Sequence, residues 1–155
     1  MFKYALALAL GLATPALALD TASLDATVRA EEAALPARLG AAVIDTKDGA
    51  VWSYRGDERF PLDSTHKAFA CAGLLAKVDR GETSLAKRVV FVATDLVEYS
   101  PITQDRIAPS SMSLGELCGA ALGVSDNTAA NMILAALGGP EGVTQFFRAL
   151  GDETS

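Results

Sequence analysis

The stretch Pro61-Leu62-Asp63-Ser64-Thr65-His66-Lys67-Ala68-Phe69-Ala70-Cys71-Ala72-Gly73-Leu74-Leu75-Ala76-Lys77-Val78-Asp79 decides how this chain reads. From Ala68 onward it is apolar nearly all round, and a helix of that kind is buried rather than surface-lying. Gly81 is placed to end it. Ser64 then stands at the N-terminus of a central helix, where free backbone N–H groups and the helix dipole favour developing negative charge. Lys67, three residues on, shares its face. A serine hydroxyl is a poor nucleophile until a base takes its proton. The only histidine, His66, lies two residues away and points about 200° round the helix. It reads as structural. Burial makes the Lys67 amine easier to deprotonate, and a Ser-Lys pair is one variant of the triad logic.

Ser-x-x-Lys alone is a weak signal, since an N-cap serine followed by a solvated lysine has the same spelling. Its weight comes from Ser125-Asp126-Asn127, a polar triplet 61 residues further on. Ser113-x-x-Glu116 is a capping box that starts a short helix near Leu114, carries Cys118 and ends at Gly123. The triplet follows in a loop, with Asp126 or Asn127 capping a helix through Ala130, Ile133, Leu134 and Leu137. Ser125 reads as a proton shuttle, Asn127 as an orienting amide and Asp126 as a residue that holds the loop. Gly138-Gly139-Pro140 closes that helix. Pro140 opens the last one, whose apolar stripe is Val143, Phe146, Phe147 and Leu150.

Upstream of the nucleophile, Ser23 to Leu35 has the spacing of a surface helix that stops before Pro36. Residues 39–45 and 51–54 flank Lys47-Asp48-Gly49, which reads as a β-hairpin. Strands early and helices late give an α+β class. Two strands do not make a stable sheet alone, so the fold reads as unfinished.

Residues 1–18 read as a secretory signal peptide. Lys3 is the positive start, Tyr4 to Ala13 the short apolar run, and Ala16-Leu17-Ala18 the cleavage site. The run is too short to span a bilayer. Removing these residues takes away one lysine and no acid, so the net charge moves from −6 to −7. That acidity, with 6% aromatic residues, argues against a nucleic-acid surface. Export also bears on the two cysteines, Cys71 and Cys118. An oxidising compartment favours their pairing, and two separate buried thiols are the other reading. With one histidine they make no convincing metal set. Neither metal nor cofactor is expected.

Three stretches together resemble the class A serine β-lactamases. They are ERFPLDSTHKAFACAGLLAKVDRGE (Glu58 to Glu82), DLVEYSPIT (Asp95 to Thr103) and the segment from Leu114 to Ser155. That family is marked by Ser-x-x-Lys, Ser-Asp-Asn and Lys-Thr-Gly. The resemblance implies an antiparallel sheet flanked by helices plus an all-helical lobe, the fold shared with penicillin-binding proteins. It implies that Ser64 is the acylated nucleophile, Lys67 its neighbouring amine and Ser125 the donor to the lactam nitrogen. Asn127 becomes the amide contacting the substrate, Tyr99 the aromatic wall of the site mouth, and Cys71–Cys118 the disulfide many members carry. The implied function is hydrolysis of penicillin-type β-lactams by an exported, periplasmic monomer with a small-molecule substrate and no membrane partner. A penicillin-binding peptidase or transpeptidase, or a non-catalytic β-lactam sensor, shares the same motifs.

In that family a glutamate-bearing loop follows the segment matching residues 151–154, and Lys-Thr-Gly comes later. Neither is found in these 155 residues. The expected organisation is therefore a signal peptide, 1–18, and an incomplete catalytic domain, 19–155. The latter comprises helix and hairpin over 19–62 and a helical lobe over 63–155, with the C-terminal half absent. The expected behaviour is a chain incompetent in deacylation.

Overall fold

The structure is a computed structural model and describes residues 19–107 and 111–154. The expected signal peptide lies outside these residues. Two compact units divide the chain, Met1–Phe60 and Pro61–Ser155.

In the first unit, helix α1 (Thr21–Ala34) starts at Asp20, whose carboxylate accepts from Ser23 N at 3.0 Å. None of its residues is fully buried, as its pattern predicted. Strands β1 (Ala41–Ile44) and β2 (Val51–Tyr54) pair antiparallel with Val43 opposite Trp52. Asp45 and Asp48 side chains each accept a backbone N–H within the turn, and Gly49 takes φ +76° there. Alternation along β2 buries Trp52 and Tyr54 and exposes Val51. The α1 carboxylates catch both buried aromatics. Trp52 donates its indole N–H to Asp25 at 3.1 Å, and Tyr54 donates its hydroxyl to Glu32. Glu32 also accepts from Arg55 and from Leu39 N. These bonds, Arg55 foremost, bring its carboxyl from an ordinary 4.5 to about 2.

The second unit is helical around one core. It contains α2 (His66–Asp79), α3 (Leu114–Gly123), α4 (Asn127–Leu137) and α5 (Pro140–Ala149). Leu74, Leu117, Ala129, Ile133 and Phe147 lie in that core. Gly81, at φ +72°, lets the chain leave α2, its N–H returning to Val78 O at 2.9 Å. The capping box forms as read. Glu116 N donates to Ser113 Oγ, and Ser113 N donates to the Glu116 carboxylate. Asp126 is the cap of α4, accepting from Ala129 N at 2.8 Å. Cys71 and Cys118 are joined, tying α2 to α3.

Three expectations need correction. Helix α2 is buried on one side only: Ala70, Cys71 and Leu74 are interior, but Leu75 is 46% exposed. An alanine-rich surface is apolar in every direction and does not by itself mark its buried side. Leu150 lies beyond α5 and is exposed, so it drops out of the apolar stripe, where Val143 and Phe147 remain. Strands do not stop at residue 54. β3 (Arg88–Val90) and β4 (Ser111–Ser113) pair antiparallel, with Val89 opposite Met112. The fold class is α+β, and among the described residues the strands form two antiparallel pairs.

Candidate active site

Ser64 lies in a 3-10 turn, Asp63–Thr65, that leads directly into α2. It is exposed. Lys67 sits in the first turn of α2 and is 3% exposed. Its amine reaches across to the loop before α4. Lys67 Nζ donates to the Ser125 carbonyl at 2.7 Å, to Ser125 Oγ at 2.8 Å and to Asn127 Oδ1 at 2.6 Å. An ammonium has three donors, and all three are used. Ser125 Oγ in turn donates to Ser64 Oγ at 2.9 Å. Ser64 and Lys67 are therefore connected through a second hydroxyl, a route their spacing along the chain does not reveal.

Burial lowers the Lys67 pKa below the ordinary lysine range, and the Asp126 charge opposes that shift. Asp126 is itself fully buried. Burial pushes its carboxyl up, but donors outweigh it: Ala129 N, Thr103 N, Ile102 N and the Thr103 hydroxyl bring the pKa below the usual value. The triplet thus carries a loop-holding anion between two residues that face the lysine.

Asn127 is fixed from both ends. Its backbone N–H donates to Tyr99 O at 3.0 Å and its Nδ2 to Glu98 O at 2.9 Å. A carbonyl only accepts, so this contact sets the amide with Oδ1 towards Lys67. Tyr99 enters the site by its backbone and is 62% exposed as a residue. Asp63, Tyr99 and Ser125 have φ of 44°, 57° and 59°. Such left-handed non-glycine residues are strained, and held strain clusters at functional sites. His66 Nδ1 donates to the carbonyl of Asp63, one of these left-handed residues. Among the described residues, no cluster of three His, Cys, Asp or Glu is placed to hold a metal.

The sequence reading missed Ser100, Thr103 and Thr128. All three are buried and bind the 95–103 segment to the start of α4. Nothing in their spacing marks them: Ser100 and Thr103 stand in DLVEYSPIT, and Thr128 is the single hydroxyl directly after the Ser-Asp-Asn triplet.

The sequence model of the Beta-lactamase enzyme family matches residues 23–155. The chain belongs to that family. Beta-lactamase AER-1 of Aeromonas hydrophila is 51% identical over 140 residues, which cover 90% of this chain and 46% of that protein. A beta-lactamase of Rhodobacter capsulatus is 46% identical over 151 residues, covering 97% of this chain and 51% of the relative. Among solved structures, an ancestral class A beta-lactamase of Gram-negative bacteria superposes with TM-score 0.81 at 47% identity, covering 85% of this chain and 50% of its own. A beta lactamase from Xanthomonas campestris gives TM-score 0.83 at 35% identity, over 87% and 50%. The chain spans about half the length of these beta-lactamases. Its fold over that span is the class A beta-lactamase fold.

Proposed function

We propose that this chain carries the acylation centre of a serine β-lactamase acting on penicillins. The observation that carries the reading is the hydrogen-bonded line Ser64 Oγ–Ser125 Oγ–Lys67 Nζ. With Lys67 neutral, the line reverses its polarity: Ser64 donates to Ser125, and Ser125 donates to the amine lone pair. Ser64 Oγ then attacks the lactam carbonyl carbon while its proton passes to Ser125 and the Ser125 proton to Lys67. When the C–N bond breaks, one proton returns from Lys67 through Ser125 to the leaving nitrogen. Oγ has become the ester oxygen and both relay groups are restored. The backbone N–H of Ser64, at the head of α2, supplies one donor to the carbonyl oxygen as charge develops.

Asn127 has a second Nδ2 hydrogen beyond the one given to Glu98 O, and it is the donor for the substrate side chain. The exposed Tyr99 ring walls the site mouth. Hydrolysis of the acyl-enzyme needs a base for water. In this reading the 155-residue chain is acylated and retains the acyl group. The disulfide and residues 1–18 fit an exported protein in the periplasm, working as a monomer on a small molecule. No helix among the described residues is long and apolar enough to cross a membrane.

The test is intact-protein mass after exposure to a penicillin. The expected gain is one opened drug per chain, retained over time, with no gain for Ser64→Ala. Ser125→Ala and Lys67→Ala are expected to slow the gain by about 10²- to 10⁴-fold, the usual worth of a positioned proton-transfer group. An adduct of equal rate on Ser64→Ala would refute the reading.

A further inference from the structure

We infer that Thr128 and Ser100 form a buried hydroxyl pair that positions the Asn127 amide, and through it Lys67, without touching either side chain. Both are buried, at 0% and 4% exposure. Their oxygens lie 2.7 Å apart. Around that pair the chain closes a circuit. Val97 N donates to Thr128 Oγ1 at 2.9 Å, and Thr128 N donates to Ser100 Oγ at 3.2 Å. Ser100 Oγ is also 2.8 Å from Val97 O. The circuit fastens residues 97 and 100 to the first turn of α4, and Glu98 and Tyr99 lie between those two fixed points.

Those two residues supply the carbonyls that hold Asn127. Glu98 O takes its Nδ2, and Tyr99 O takes its N–H. Tyr99 is left-handed, so its peptide is held in a conformation the free chain disfavours. Loss of either hydroxyl releases one fixed point and lets Tyr99 relax. Glu98 O then withdraws from Nδ2, the amide is free to turn, and Lys67 loses the acceptor 2.6 Å away. The pair is a positioning device, since neither hydroxyl bonds to Ser64, Lys67 or Ser125.

This inference rests on the proposed acylation chemistry for its kinetic consequence only; its structural part has its own readout. Thr128→Val keeps the shape of the side chain and removes the hydroxyl; Thr128→Ser restores it. Ser100→Ala cuts the circuit from the other side and leaves the Val97–Thr128 bond, so it carries the test where Thr128→Val does not fold. Ile133→Val, in the core of α4 away from the circuit, controls for general loss of stability. In the 155-residue chain, one side-chain NH₂ proton of Asn127 is expected to be shifted downfield and slow to exchange by NMR. That signature disappears in Thr128→Val and Ser100→Ala and persists in Thr128→Ser and Ile133→Val. Acylation by a penicillin falls about tenfold in the first two, the worth of one net hydrogen bond. Thr128→Ser acylates within about twofold of the parent. An unchanged Asn127 signature in Thr128→Val or Ser100→Ala, or a failure of Thr128→Ser to restore it, overturns the inference. A parent chain that shows the signature but takes up no penicillin overturns the acylation reading and leaves this one standing.

Discussion

Lys67 has a pKa lowered by burial, and the buried anion at Asp126 counters that shift by favouring the ammonium. A base works when neutral, so acylation is expected to rise with pH through the Lys67 pKa and to level off above it. That midpoint lies below the ordinary lysine value. Asp126→Asn removes the neighbouring charge that favours the ammonium. It is therefore expected to shift the midpoint of the rate–pH profile further down, read as acylation rate across the alkaline range. The same change strips a carboxylate from four donors, at a cost of about 3 kcal/mol in thermal or urea unfolding. An upward midpoint would contradict the assignment of Asp126 as the opposing charge. At this scale the residues in the motifs were legible because each carries a distinctive chemical type. Ser100, Thr103 and Thr128 were not, because a buried hydroxyl partner has no periodic or compositional mark. Nor did the spacing reveal that Ser125 stands between Ser64 and Lys67. Only the loop geometry around left-handed Ser125 brings its hydroxyl there.

Elements with local causes were readable. The Ser113–Glu116 capping box, Pro140 at the start of α5 and the turn between β1 and β2 each depend on residues a few positions apart. β3 and β4 are three residues each and pair across the intervening segment, so no local pattern announces them. Two contacts between elements make predictions. Joining Cys71 to Cys118 closes a loop of 47 residues, worth at most about 4 kcal/mol in the chain-entropy treatment. Replacing both cysteines by alanine is expected to lower the thermal midpoint of the second unit and to leave the pairing of β1 with β2 unchanged. In the first unit, Glu32 has a folded pKa near 2 against an ordinary 4.5. A depressed carboxyl contributes stability that is present above 4.5 and lost as pH falls towards 2. The protection factor of Leu39 N, which donates to Glu32, is expected to fall over that window when its exchange rate is divided by the intrinsic rate at the same pH. Glu32→Gln is expected to remove that change in protection; a protection factor flat from pH 5 to about 2 in the parent would count against it.

Across the molecule, several large apolar side chains face solvent. Ile44 and Val51 are opposite each other on the hairpin at 63% and 65% exposure, and in the second unit Val90 reaches 72%. Exposed apolar surface of this kind binds partner chains or hydrophobic dyes. The 155-residue chain is expected to enhance the fluorescence of such a dye under native conditions; a response no larger than that of a compact monomer would contradict this. The proposed chemistry is nevertheless concentrated in the second unit, where two hydroxyls 61 positions apart in the chain meet at 2.9 Å. The most direct measurement is the position of the drug. A chain incubated with a penicillin, digested and fragmented in a mass spectrometer, is expected to carry the opened lactam as an ester on Ser64 and nowhere else. An adduct on Ser125, on Lys67 or on any other residue would contradict the assignment of Ser64 as nucleophile and the proton line built on it.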